Sequence, residues 1–272
     1  MQGPGIITLT TDFGLKDPYV GTMKGVILSI NPEARIVDIT HQIKTGDITH
    51  AAGLILETFN FFPKDTIHVG VVDPGVGSDR RPILVKAEGH FFVGPDNGLF
   101  WPIISAHQPA EMVHLTEKGY FLPHISHTFH GRDIFAPVAA HLSHGADPLK
   151  MGTIIRDPVP LRLPSLKKNE GILCGQIVRV DNFGNLITNI HREDLAQFTE
   201  TGKTVIKVGT LTIENVRETY AEAKKDEALA LIGSSGYLEI AVNLGRASDR
   251  LGIDSEELTG VKVEVGKVGN KR

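Results

Sequence analysis

The feature that most constrains this chain is a change of rhythm near residue 156. Before it, short β-branched apolar runs alternate with segments of helical period. After it, strand-like runs follow one another with only turns between. Gly5 to Thr11 reads as a buried strand that breaks at Asp12-Phe13-Gly14. Residues Tyr19 to Ile30 put Val20, Met23, Val26, Ile27 and Ile30 at helical spacing, and Asn31-Pro32 ends the pattern. Arg35 to Ile39 and Thr66 to Val72 read as strands, and His50 to Phe59 as a helix. Pro82 to Ala87 and His90 to Gly94 read as a β pair, and Phe135 to Leu142 as a second-half helix. Strand and helix in alternation predict an α/β layer with a largely parallel central sheet. The stretch 157–170, with three prolines, reads as a linker. Beyond it, Gly171 to Val180, Thr204 to Val208, Thr210 to Ile213, Ala228 to Ile232 and Tyr237 to Val242 predict a smaller antiparallel β-barrel. The expected organisation is therefore an α/β domain over 1–156, the linker, and a β-barrel domain over 171–272. The tetrapeptide Asp-Ile-Thr-His occurs at Asp38 and again at Asp47, too short a match to be an architectural repeat.

Composition narrows the function. The chain of 272 residues has a net charge of −4, which argues against nucleic acid as partner, because phosphate binding needs a basic stripe. The basic pairs Lys167-Lys168, Lys224-Lys225 and Lys271-Arg272 are short and read as solvated surface. No apolar run is long enough to span a membrane, and the N-terminal residues lack the pattern of a signal peptide. A single cysteine, Cys174, forbids an internal disulfide and fits a cytoplasmic location. It is expected to be buried filler.

Chemistry is expected where strands end, since open α/β sheets bind ligands beyond their carboxyl ends. Three loops of the first domain stand there. Asp12, with Asp17 and Tyr19 close behind, offers a carboxylate past a buried strand. It suits either a ribose diol or a helix cap. The segment Asp73 to Arg81 combines a proline, two glycines and two arginines. Arg80, seven positions after Asp73, can fold back onto it, although a plain structural loop fits the same residues. It lacks the lysine and spacing of a P-loop. His124, His127 and His130 recur at intervals of three, which admits a metal site, but Thr128, Phe129 and Gly131 point to a loop or strand end. One catalytic histidine beside Arg132 and Asp133 is the better reading. In the second domain, Asp181, Phe183 and Asn185 join a carboxylate, an aromatic face and an amide, a set suited to a purine with its appendage. The loop Gly233-Ser234-Ser235-Gly236 offers hydroxyls and N–H groups to a carboxylate. Each of these loops also reads as an ordinary turn.

Together these loops resemble one family, the S-adenosylmethionine hydrolases or hydroxide adenosyltransferases, relatives of the enzymes that make fluoro- and chloro-adenosine. The resemblance spans nearly the whole chain and rests on TTDFG at Thr10, VVDPGVG at Val71, GPDNGLF at Gly94, TFHGRDIFAP at Thr128, DNFGNLITNI at Asp181 and GSSGYLEIAVN at Gly233. It implies hydrolysis of S-adenosyl-L-methionine to adenosine and L-methionine, with a homotrimer whose active sites lie between subunits. It puts the Asp-Arg-His constellation on Asp73, Arg80 and His130. Asp12 is implied to bind the ribose diol and Asp17 to lie near the methionine end. Asp181, Phe183, Asn185 and Ser234 are implied as further substrate contacts. No cofactor and no metal are expected. The halogenating branch has a tyrosine where Asp73 stands, a serine where Gly131 stands, and an extra residue in the loop matching Asp181 to Asn185. Water is therefore the expected nucleophile. The rival expectations are a metal-dependent hydrolase using the three histidines, a non-catalytic binder of an adenosine-type ligand, and a halide-using adenosyltransferase.

Overall fold

The computed structural model describes residues 5–169, 171–199, 203–253 and 260–267. Lys271-Arg272 lies outside the described residues. The chain divides into two compact units, Met1–Arg162 and Leu163–Arg272.

The first unit contains β1 (Ile6–Thr11), α1 (Tyr19–Ile30), β2 (Arg35–Thr40), α2 (Ile48–Thr58), β3 (Ile67–Val71), β4 (Pro82–Ala87), β5 (His90–Pro95), α3 (Trp101–Ala106), β6 (Glu111–Leu115), α4 (Ala136–Ser143) and β7 (Gly152–Ile154). The sheet order is β2-β1-β3-β5-β4-β6-β7. Strands β2, β1, β3 and β5 run parallel, and the pairings beyond β5 are antiparallel. Alternate strand residues feed two cores. Leu84 and Val93 pack with Met23, Ile27 and the α4 alanines on one face. Ile83, Val85 and Phe92 pack with Ala51, Ile55 and Ile103 on the other. Helices thus cover both faces of the sheet. The apolar stripe of α1 falls where its spacing predicts, with Val20, Met23 and Ile27 buried. Helix α2 starts two residues earlier than the apolar pattern suggests, because the Asp47 side chain caps it by accepting from the His50 N–H at 2.9 Å.

The chain order places the switch point beside β1. Its neighbour β2 lies on one side and β3 on the other, and Thr11 pairs with Val71. Asp12 and Asp73 therefore leave adjacent strand ends, at the crevice that such sheets offer to ligands.

The second unit contains β8 (Lys167–Asn169), β9 (Ile172–Val180), β10 (Leu186–His191), α5 (Arg192–Phe198), β11 (Thr204–Val208), β12 (Leu211–Glu214), β13 (Val216–Arg217), β14 (Ala228–Ile232), β15 (Tyr237–Val242), α6 (Ala247–Leu251) and β16 (Lys262–Lys267). The order is β12-β11-β16-β9-β10-β15-β14-β13, with β8 on β9. Strands β12 and β14 approach each other, so the sheet curls into a nearly closed barrel around Leu173, Ile190, Ile206, Leu238 and Val263. All pairings are antiparallel except β13 with β14. Cys174, expected to be buried, is only partly buried on β9. It faces the alternation of that strand, whose core positions are Leu173 and Ile177. Lys167, Lys168, Lys224 and Lys225 are exposed.

The proline-rich stretch divides between the units. Asp157 and Val159 are tied to Arg81 and Asp96 in the first. Lys167–Asn169 pairs with β9 in the second.

Candidate active site

The loop after β1 is pinned from behind. Thr11 Oγ1 lies 2.9 Å from His41 Nδ1, and the Gly14 N–H donates to the His41 carbonyl at 2.7 Å. Asp12 Oδ2 accepts from the Gly46 N–H at 2.8 Å. Asp12 caps no helix, because α1 begins seven residues later with Pro18 as its N-cap. Its carboxylate instead lines a cleft with Phe13, Asp73, Phe129, His130 and Gly131. Phe13, Tyr19 and Phe129 meet edge to face, with ring centroids 5.2–5.9 Å apart, and Phe13 and Phe129 of this cluster line the cleft. Asp17 is exposed in the turn before α1 and does not line this cleft.

Arg80 does fold back onto Asp73. Its Nε donates to both carboxylate oxygens, at 2.9 and 3.0 Å, and Nη2 donates to Oδ2 as well. The two side chains are only 9% and 5% exposed, so the pair sits in a low dielectric where a lone charge would be costly. Arg80 also stacks over the Phe135 ring at 5.3 Å. Its Nη1 is buried without a hydrogen-bond partner among the described residues.

Gly77 brings this loop to the histidine segment. A Cβ there would sit 2.4 Å from the His127 carbonyl oxygen, and its φ of +79° suits glycine alone. The approach lets Arg80 Nη2 donate to His130 Nδ1 at 2.8 Å. Burial pushes the His130 imidazole below its ordinary pKa, and the neighbouring Arg80 charge pushes the same way. Asp73 and Asp133 oppose them.

Residues 131–135 depart from the expected loop. Gly131–Phe135 form a π-helical turn running straight into α4, with His130 at its N-terminal edge. The wide turn places His130 at the cleft while Asp133 points inward, fully buried. Burial raises the Asp133 pKa, but hydrogen bonds from Arg132 and the Ser126 N–H outweigh it and hold the carboxyl below its ordinary value. Gly131 has little spare room. A Cβ would meet Met23 at 3.2 Å and Phe129 at 3.3 Å. His124 and His127 are exposed. No three His, Cys, Asp or Glu side chains among the described residues come together as a metal site.

In the second unit, Asp181 and Asn185 close one tight loop. Asp181 Oδ1 accepts from the N–H groups of Phe183 and Asn185, at 2.9 and 2.8 Å, and Oδ2 accepts from Asn185 Nδ2 at 2.9 Å. Phe183 between them is 73% exposed, a large apolar ring held out by its loop. Ser234 is exposed in the turn between β14 and β15. Tyr220, which lies in none of the quoted motifs, and Glu239, which the GSSGYLEIAVN motif contains without a role assigned to it, extend this loop's network. The Tyr220 hydroxyl donates to Glu239 Oε2 at 2.9 Å, and burial together with that carboxylate pushes the phenol up to about 12.

The SAM hydroxide adenosyltransferase N-terminal domain model matches residues 7–152, and the corresponding C-terminal domain model matches residues 175–258. An (R)-S-adenosyl-L-methionine hydrolase of Methanocaldococcus jannaschii is 36% identical, over 92% of this chain and 92% of its own length. A fluorinase of an Actinoplanes species is 29% identical, over 89% and 92%. The crystal structure of an uncharacterized conserved protein from Thermotoga maritima superposes with a TM-score of 0.89 at 34% identity, covering 96% of this chain and all of that one. With both domain models matched in order and the cleft built from the same motifs, the chain belongs to the SAM hydroxide adenosyltransferase family.

Proposed function

We propose that this chain hydrolyses S-adenosyl-L-methionine to adenosine and L-methionine, and that it takes the R epimer at sulfur, which the names of its hydrolase relatives specify. The observation that carries the reading is the Asp73–Arg80–His130 chain of hydrogen bonds beside the Asp12 carboxylate. A sulfonium leaves as a neutral thioether, so no acid is needed at sulfur. The oxygen–C5′ bond forms as the C5′–sulfur bond breaks and its electron pair returns to sulfur.

The demand falls on the nucleophile, which must be placed in line. Arg80 has only donors, so the nitrogen it meets, His130 Nδ1, accepts. Neutral His130 therefore carries its proton on Nε2 and offers an N–H. A donor of this kind orients the attacking water, whose proton passes to solvent as the oxygen–C5′ bond forms. Asp73 neutralises and orients Arg80, and its charge disfavours halide. Asp12 accepts the ribose hydroxyls. The resemblance supports substrate contacts from Asp17, Asp181, Phe183, Asn185 and Ser234, and a homotrimer with active sites between subunits. The single cysteine supports a cytoplasmic setting. The chemistry asks for neither metal nor cofactor.

The test is incubation of the purified protein with each sulfonium epimer, with and without chelator and chloride, followed by chromatography. Equal amounts of adenosine and methionine from the R epimer, indifferent to both additions, are expected. Untouched substrate favours a binding protein, loss on chelation favours a metal enzyme, and a chlorinated nucleoside favours a halogenase.

A further inference from the structure

The loop after β5 carries two consecutive side chains that the chemistry above does not use. Neither lines the cleft. Asp96 is 4% exposed, and its N–H donates to the Arg81 carbonyl at 2.9 Å. Its Oδ2 accepts from Arg81 Nε at 2.9 Å and Nη2 at 2.6 Å, while Oδ1 accepts from the Val159 N–H at 2.8 Å. Arg81 also reaches Asp157, through Nη1 to the carboxylate at 2.9 Å and Nη2 to the carbonyl at 2.6 Å. Asn97 Nδ2 donates to the Val72 carbonyl at 2.9 Å, and its Oδ1 accepts from the Leu99 N–H at 3.2 Å.

These grips fall on the two residues that flank the Asp73–Arg80 ion pair. Val72 precedes Asp73, and Arg81 follows Arg80. One dipeptide therefore holds the loop at both ends. A rotation of the backbone at Val72 carries the Asp73 carboxylate with it, and a rotation at Arg81 swings the Arg80 guanidinium away from His130. The loop between is closed on itself, with the Val76 N–H donating to the Asp73 carbonyl at 3.2 Å and the Arg80 N–H to Ser78 Oγ at 3.3 Å, so it moves as one piece with the ends that Asn97 and Asp96 hold.

We propose that Asp96 and Asn97 are positioning residues for the hydrolytic reaction, acting through Arg81 and the Val72 carbonyl to aim Arg80 at His130. The inference rests on the reading that Asp73, Arg80 and His130 carry the reaction. A misplacement of about 1 Å at such a distance from the chemistry lowers a rate on the order of 100-fold.

The variants are Asn97→Asp, which keeps the shape but loses the donor to Val72, and Asp96→Asn, which keeps the shape but loses the charge facing Arg81. Arg81→Lys keeps the positive charge and gives up the forked grip, and it serves if Asp96→Asn does not fold. Two readouts are taken on the full chain, with thermal melting to establish folding. The first is steady-state turnover of (R)-S-adenosyl-L-methionine. The expected result is kcat lowered about 10- to 100-fold with KM within about threefold of wild type. The second is the NMR titration of His130, which faces Arg80, Asp73, Asp133 and His127. Release of Arg80 should raise the His130 pKa toward the ordinary imidazole value in each variant. Folded variants whose kcat and His130 titration both match wild type overturn the proposal. So does a fall in thermal stability with His130 unmoved, which would make the dipeptide merely structural. A wild-type protein inert toward the substrate overturns the functional reading alone, and the His130 titration still decides whether Asp96 and Asn97 aim Arg80.

Discussion

Arg80 Nη2 donates to His130 Nδ1 at 2.8 Å, and this fixes which ring nitrogen of the histidine is free. An imidazole held this way presents Nε2–H and is poorly disposed to take a proton from water. Protonation at Nδ1 would set two donors against each other. The acid-side fall in kcat/KM assigned to His130 should therefore lie below the ordinary imidazole pKa of about 6.5, the direction in which burial and Arg80 move it. The rate is expected to hold as pH falls through about 6.5 and to drop only at lower pH, as charged His130 loses Arg80. The fall should be absent in His130→Gln. A break at or above about 6.5 that vanishes in His130→Gln would assign the histidine as general base instead.

Asp73→Asn tests the buried pair. Removing one member leaves the nearly buried Arg80 charge uncompensated, which costs about 3 kcal/mol of stability. The expected result is that loss in denaturant unfolding with kcat lowered on the order of 100-fold. A stable, active Asp73→Asn variant would show that the carboxylate charge is dispensable.

Gly77→Ala should loosen the join between the two catalytic loops. The added methyl would lie 2.4 Å from a backbone oxygen at a φ of +79°, so the loop has to move away. A loss of about 1–3 kcal/mol is expected, with a fall in kcat. Wild-type melting and turnover would show that the loops are held together elsewhere.

A second histidine chain governs acid stability. His68 Nδ1 lies 2.9 Å from Thr8 Oγ1, and His68 Nε2 lies 3.2 Å from His90 Nδ1, all buried. Burial, aided by His90, pushes His68 down to about 3. The unfolded chain takes up a proton near 6.5 that the folded chain refuses. Stability is complete above that pH and declines as pH falls toward about 3. Roughly 2 kcal/mol should be lost between about pH 6.5 and 5 from this group. Unfolding free energies at the two pH values, for wild type and His68→Phe, measure it. An equal acid loss in both proteins would remove His68 as the cause.

Much of this was legible in the sequence, and what was not has physical reasons. β1, α1, β3 and the β4–β5 pair carry apolar runs bounded by turn residues, so period and punctuation agree. α3 (WPIISA) is too short for its period to register, and its second residue is proline. β10 directly follows the Asp181 to Asn185 loop and reads as its continuation. β16 (KVEVGK) looks like surface because its alternate positions are charged. The Asp73–Arg80 return is readable from a seven-residue spacing with glycines between. The π-helical turn at Gly131 is not, since its sequence contains Gly and Asp, both poor helix formers, and has no period of its own. Asp96 and Asn97 work through neighbouring backbone and an adjacent arginine. No residue type at their positions signals the chemistry they support.

The central claim is that water attacks the ribose C5′ of the R epimer of S-adenosyl-L-methionine in the cleft of Asp12, Asp73 and His130. The most direct measurement is the reaction in oxygen-18 water, with mass spectrometry of both products. The account predicts one labelled oxygen in adenosine, at the 5′ position, and unlabelled methionine formed in equal amount. Label in methionine, or adenosine formed without label, would contradict it.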